Sequence, residues 1–167
     1  MFKYKNQRVG VFIDVSNMYH SAKNLYGARI NFKEILKTVV DGRQLIRAIA
    51  YVIKSNNNEE DSFFDALEKS GFELKVKDLQ IFAGGAKKAD WDVGLAIDAI
   101  SMSDRLDSVI IVSGDGDYVP LVKYLRINKG CMVEVAAFGK TTSAKLIEIS
   151  DDFLDLASDR KYLIKIK

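Results

Sequence analysis

Val109-Ile110-Ile111-Val112-Ser113-Gly114-Asp115-Gly116-Asp117-Tyr118 is the stretch whose reading decides the fold. A short apolar run leads into a turn of small residues that carries two carboxylates separated by one glycine. Four successive β-branched residues with no polar alternation read as a strand buried on both faces, the kind that parallel sheets contain. In open parallel sheets, ligands bind just beyond the carboxyl ends of the strands. Asp115 and Asp117 therefore fall where such a fold keeps its chemistry. Two acids so close repel each other unless they share a proton or a cation.

Working outward, strands and helices alternate. Val9 to Val15 reads as a strand, Ser16 to Tyr26 as a helix stopped by Gly27, and Asn31 to Val40 as a helix with Asn31 as N-cap and Glu34 three residues on. Gln44 to Ile53 is a strand, Ser55-Asn56-Asn57-Asn58 a polar break, and Glu59 to Ser70 a helix closed by Gly71. Phe72 to Val76 is a strand, and Asp78 to Phe82 either continues it or forms a hairpin partner across the turn Ala83-Gly84-Gly85-Ala86. Asp90 to Met102 is a helix with Val93, Ala96, Ile97 and Ile100 on its apolar face. After the strand at 109–112 come a helix from Asp117 to Asn128 with Pro120 in its first turn, a strand to Ala137, and a helix from Thr141 to Ile149. The segment through Ala157 reads as helical, and Tyr162 to Ile166 as an edge strand or tail that could pair between two chains into a homodimer. This order predicts one domain over 1–167, with a core at about 9–156. Its fold class is α/β, a three-layer sandwich with a mostly parallel central sheet.

Composition narrows the function classes. The chain has 167 residues, 48% hydrophobic and 29% charged, which suits one globular domain rather than a disordered chain. Its net charge of +2 names no partner. The local basic clusters, Lys3-Lys5-Arg8, Lys87-Lys88 and Arg160-Lys161-Lys165-Lys167, are the ordinary form of a solvated surface. One cysteine, Cys131, excludes an internal disulfide and reads as a buried thiol. One histidine, His20, and no cysteine cluster argue against zinc. No apolar run reaches membrane-spanning length and no secretory core follows the polar start, so the expected location is cytoplasmic, with no membrane partner.

Two other segments bring acids to equivalent places. Asp14 ends the apolar run Val11-Phe12-Ile13-Asp14, with Asn17 three residues on; on its own it could simply cap the helix that follows. Lys87-Lys88-Ala89-Asp90-Trp91-Asp92-Val93-Gly94-Leu95-Ala96-Ile97-Asp98 supplies more. Asp90 or Asp92 suits a helix start. Asp98, among Leu95, Ala96, Ile97 and Ala99, should be partly buried, and lies about 120° around the helix from Asp92, so one of them serves as ligand and the other as support. An all-oxygen site suits Mg²⁺ or Mn²⁺. With such an ion it can hold a phosphodiester and activate water for in-line attack. Lys87, Lys88 and Arg126 are candidates for phosphate contacts.

Phe12-Ile13-Asp14-Val15-Ser16-Asn17, the segment Lys88 to Ile100, Ser113-Gly114-Asp115-Gly116-Asp117-Tyr118-Val119-Pro120-Leu121 and the tail Leu146 to Phe153 resemble, in this order, the NYN domain family and its LabA-like branch, relatives of PIN and flap-nuclease folds. The resemblance runs from Val9 to about Leu156. Val15-Ser16 stands where family members often carry other residues, including glycine. The resemblance implies a PIN-like, Rossmannoid α/β fold and a metal-dependent ribonuclease acting on single-stranded RNA. Carried across, Asp14, Asp92, Asp115 and Asp117 are the catalytic metal ligands, Asn17, Asp90, Asp98 and Ser113 support them, and no further RNA-binding domain is expected. A non-catalytic scaffold that keeps the cleft, and a phosphohydrolase acting on a small phosphoester, are the competing readings. A long basic groove would favour the nuclease, and a closed small pocket the phosphohydrolase.

Overall fold

The computed structural model describes residues 2–55, 57 and 59–166. Asn56 and Asn58 of the expected polar break, and Lys167 of the terminal basic cluster, lie outside the described residues. Six parallel strands form the central sheet: β1 (Arg8–Asp14), β3 (Gln44–Lys54), β4 (Glu73–Asp78), β7 (Ser108–Val112), β8 (Met132–Ala137) and β9 (Asp152–Asp155). Their order is β4-β3-β1-β7-β8-β9, and every neighbouring pair is parallel.

Helices cover both faces. On one side α1 (Val15–Tyr26), α2 (Phe32–Val40) and α3 (Glu60–Lys69) pack with Val9, Val11, Ile13, Ile110 and Val112. On the other, α4 (Asp92–Met102), α5 (Val119–Ile127) and α6 (Ala144–Ile149) pack with Phe12, Val109 and Ile111. Alternate residues of β1 and β7 thus enter opposite cores, as the period of two along a strand requires. All five residues of β7 are buried, which is why that run is apolar without alternation. The α/β sandwich expected from the sequence is the fold found.

Local signals account for most element ends. Gly27 adopts a left-handed conformation after α1, and the Asn31 side chain accepts from the Glu34 N–H at the start of α2. Asp78 ends β4. The hairpin alternative holds just beyond it, where β5 (Gln80–Ile81) pairs antiparallel with β6 (Lys87–Lys88) across Ala83-Gly84-Gly85-Ala86.

Two expectations are corrected, and one alternative is resolved. The segment before Ala157 is not a helix: Asp152–Asp155 is the edge strand β9, whose partner is β8. The inward face of α4 is Leu95 and Ala99, whereas Val93 and Ile97 are exposed. The C-terminal strand β10 (Leu163–Lys165) is an edge strand rather than a tail, and pairs on one side with β2 (Ala28–Ile30) of the same chain. No described helix is long and apolar enough to cross a membrane.

Strand order positions the site. From β1 the chain winds outward through β3 and β4, then returns to the middle and winds the other way through β7, β8 and β9. The reversal falls between β1 and β7, which lie side by side with Ile13 opposite Val112. At such a point the connections leave their strands in opposite directions and a crevice opens at the carboxyl ends. Asp14 and the turn at Ser113 stand at its mouth.

Candidate functional site

One carboxylate oxygen from each of Asp14, Asp92 and Asp115 lies within 4.8 Å of the other two. Each comes from a different element. Asp14 is the last residue of β1 and the N-cap of α1, where its Oδ1 accepts from the Asn17 N–H at 3.1 Å. The capping reading and the ligand reading therefore both hold for its geometry, because a carboxylate has two oxygens. Asp92 opens α4, whose N-terminal dipole favours an anion. Asp115 begins the single 3₁₀ turn Gly116–Tyr118 that joins β7 to α5.

Hydrogen bonds tie these segments together. The Asn17 Oδ1 accepts from the Gly114 N–H at 3.1 Å, linking the end of β1 to the end of β7. The buried Ser113 hydroxyl oxygen accepts from the Asp115 N–H at 3.2 Å. Asp90 accepts from the Asp92 N–H at 3.3 Å and so shapes the entry to α4, but its carboxylate is not among the three that converge.

Tyr118 is the residue that the sequence reading missed. Its side chain is buried, and its hydroxyl lies 3.2 Å from both Asp14 Oδ2 and Asp92 Oδ1. A phenol has one proton to donate, so it is shared between two acceptors. Burial, reinforced by the two nearby carboxylates, pushes its pKa well above the ordinary phenol range and keeps that proton in place. Tyr118→Phe should leave the fold intact and weaken divalent-metal binding by about ten- to a hundredfold, the usual cost of losing a residue that orients a ligand. Calorimetric titration with Mn²⁺ measures this directly.

Burial also raises the pKa of Asp14; the Asn17 N–H and the Tyr118 hydroxyl oppose the rise, and the charges of Asp115 and Asp90 add to it. Asp92 is pushed up to about 6 by burial first and by the charge of Asp115 next, with Tyr118 opposing and Asp14 and Asp90 adding. Among the described residues no lysine, arginine or histidine forms an ion pair with Asp14, Asp92 or Asp115. The trio is an all-oxygen donor set with uncompensated charge, and a hard divalent cation fits it.

The other candidate residues stand apart from this group. Asp117 is exposed; the 3₁₀ turn uses its N–H to donate to Asp115 Oδ1 at 2.9 Å and leaves its carboxylate outside the converging set. Asp98 accepts from the Tyr51 hydroxyl at 2.8 Å and pairs with Lys75 at 2.7 Å. Tyr51 in turn packs against Trp91, whose indole N–H donates to the Val52 carbonyl at 2.9 Å. Asp98 thus reaches Asp92 only through the ring beside it. Arg126 lies at the far end of α5, paired with Asp151 at 2.9 Å and donating to the Ile149 carbonyl, away from the carboxylates. Lys87 and Lys88 are exposed on β6, just ahead of Ala89-Asp90-Trp91-Asp92.

Glycine in the β7 turn is required by close packing. Neither Gly114 nor Gly116 has a positive φ. A Cβ on Gly114 would instead lie 2.8 Å from Thr142 Oγ1 and 3.1 Å from the Thr141 carbonyl oxygen. The turn needs space rather than backbone freedom. Gly114→Ala should push the turn off the 141–142 backbone and lower stability by about 1–3 kcal/mol, an overpacking cost. Urea unfolding measures it.

An open cleft of about 300 Å³ adjoins the trio, with Asp14, Asp92 and Asp115 in its lining. The chain is 24% identical over 170 residues to the low amplitude and bright protein LabA of Synechococcus elongatus, covering 97% of this chain and 90% of that one. It superposes with a TM-score of 0.88 on a crystal structure of a Vibrio parahaemolyticus protein of unknown function, at 30% identity over 98% of this chain and 100% of that one. The fold also resembles the T5 D15 protein, crystallized with metal ions, at a TM-score of 0.50 and 13% identity over 85% of this chain and 59% of that one. Residues 8–157 match the NYN domain, and the chain belongs to the NYN domain family.

Proposed function

We propose that this protein is a divalent-metal-dependent nuclease that hydrolyses phosphodiester bonds of RNA. The convergence of Asp14, Asp92 and Asp115 within 4.8 Å, unpaired with any described cation and open to solvent, carries this reading. These three residues would hold Mg²⁺ or Mn²⁺. When bound, such an ion supplies Lewis acidity toward a phosphodiester and makes water a better nucleophile at neutral pH. The chain's own groups do the rest. Tyr118 holds two of the carboxylates in register, Asn17 fixes the β7 turn that carries the third, and Lys87 and Lys88 offer positive charge ahead of the cleft wall.

The cleft is open, which disfavours a small phosphoester that an enclosing pocket would hold, but its lining contains no lysine or arginine, so the basic groove expected beside a nuclease site is not part of it. The test incubates the purified protein with labelled single-stranded RNA, with and without Mn²⁺, beside Asp115→Asn. Mn²⁺-dependent cleavage by the wild type alone supports the reading. Equal cleavage by both proteins, or none by either, refutes it.

A further inference from the structure

The wall of the cleft formed by α1 is built from neutral polar groups. Asn17, His20, Ser21 and Asn24 fall at the spacing i, i+3, i+4, i+7, which places them on one helix face, and all four line the cleft beside the carboxylates. The opposite face, with Val15, Met18 and Ala22, is buried. Asn17 is committed to the Gly114 N–H, and the Ser21 hydroxyl oxygen accepts from Thr141 at 3.2 Å. Among the described residues, the exposed side chains of His20 and Asn24 have no hydrogen-bond partner. The His20 ring is set edge-to-face against Tyr19, with centroids 5.4 Å apart at 77°.

Asn and Ser groups can contact phosphate, but this wall has no lysine or arginine to supply the charge that dominates phosphate binding. It is well suited to a nucleobase. An asparagine amide donates and accepts at once, and so matches the edge of a base, while an exposed imidazole ring offers a face on which a base can stack. We propose that the His20 and Asn24 face of α1 seats an unpaired base of the nucleotide next to the phosphodiester held at Asp14, Asp92 and Asp115. A base inside a duplex has its edge paired and both faces stacked, so this seat requires a base that lies outside a duplex. This inference rests on the nuclease reading and deepens it.

The test measures binding of a fluorescent single-stranded RNA by anisotropy in Ca²⁺, and cleavage of the same RNA in Mn²⁺. His20→Ala and Asn24→Ala should each raise Kd about tenfold, as expected for loss of a base contact. His20→Phe, which keeps a stacking ring, should bind nearly as well as wild type. In a series of RNAs each lacking one base, a single position should weaken the wild type and leave His20→Ala unchanged. Both residues are exposed, so the melting temperature should not move. If the wild type cuts RNA while His20→Ala and Asn24→Ala bind as tightly as it does, the base seat is wrong and the nuclease reading stands. If the two variants lose affinity equally for single strands and for a perfect duplex, the base seat is likewise overturned. A wild type that neither binds nor cuts RNA overturns both.

Discussion

Asp92→Asn should melt at a higher temperature than the wild type in metal-free buffer at pH 8, and yet lose Mn²⁺-dependent cleavage by more than about a hundredfold. The loss should exceed what residues outside the ligand set cost, about ten- to a hundredfold, because a ligand itself is removed. The gain in stability follows from charge. Three carboxylates face one another with no described cation between them, and burial together with the charge of Asp115 pushes Asp92 up to about 6. A raised acid pKa means that the native state holds its proton more tightly than the unfolded chain does. Between the unfolded value near 3.8 and about 6, the native state therefore binds more protons. The contribution of Asp92 to wild-type stability falls as pH rises through this window and then levels off. Asparagine has no proton to lose, so the variant lacks this contribution to the decline. Since Asp92 is only partly buried, the difference is a few degrees of melting temperature rather than tens. Saturating Mn²⁺ should stabilise the wild type and reverse the order of the two proteins. Thermal melts at pH 5 and pH 8, with chelator and with Mn²⁺, measure all of these effects.

The largest effect on stability is expected far from the cleft. Arg43→Ala should destabilise the protein by about 3 kcal/mol, the lower end of the cost of breaking a buried ion pair, since Lys3 still faces Glu134. Arg43 and Glu134 are both buried, and the guanidinium donates to the carboxylate at 2.8 and 3.1 Å. Arg43 also donates to the carbonyls of Val39 and Val40, and Glu134 accepts from the Ser108 hydroxyl and pairs with Lys3 at 3.2 Å. Removing the Arg43 side chain takes both guanidinium bonds from Glu134, leaving it Ser108 and Lys3, and takes the guanidinium donor from the Val39 carbonyl, while the Val40 carbonyl keeps the backbone N–H of residue 43. Adding Glu134→Ala to Arg43→Ala should cost much less than the sum of the single changes, because the stranded charge goes with it. Arg43 immediately precedes β3, at the amino end of the sheet, whereas the carboxylates gather at the carboxyl end. Metal affinity of the folded fraction should therefore be unchanged. Urea unfolding and Mn²⁺ titration of the same samples separate the two effects.

Much of this structure was legible because some signals are local. Val109–Val112 announces a strand buried on both faces by composition alone, and Asp14 is conspicuous because an acid ends an apolar run. Gly27 and Asn31 mark helix ends through chemistry within a few residues. The misses have equally physical causes. In α4, Val93, Leu95, Ala96, Ile97, Ala99 and Ile100 surround the helix with apolar side chains, so periodicity could not single out Leu95 and Ala99 as the inward face. β9 is only four residues long with an acid at each end, and its strand character comes from pairing with β8.

The site divides along the same line. Asp14, Asp92 and Asp115 sit at strand ends and a helix start, places that a sequence marks. Tyr118 does not: it acts across 104 residues on Asp14, and nothing beside it in the sequence distinguishes it from a core tyrosine. Asp117 is harder to place from sequence. Its closeness to Asp115 suggests a shared cation, whereas in the structure its N–H donates to Asp115 Oδ1 and its exposed carboxylate is outside the converging group.

The central claim is that Asp14, Asp92 and Asp115 form a divalent-cation site. Anomalous diffraction from crystals soaked in Mn²⁺ tests it most directly. The account predicts a peak bonded to oxygens of all three carboxylates, absent from crystals of Asp115→Asn. A well-ordered cleft with no peak at saturating Mn²⁺, or a peak held by Asp117 and Asp90 instead, would contradict it.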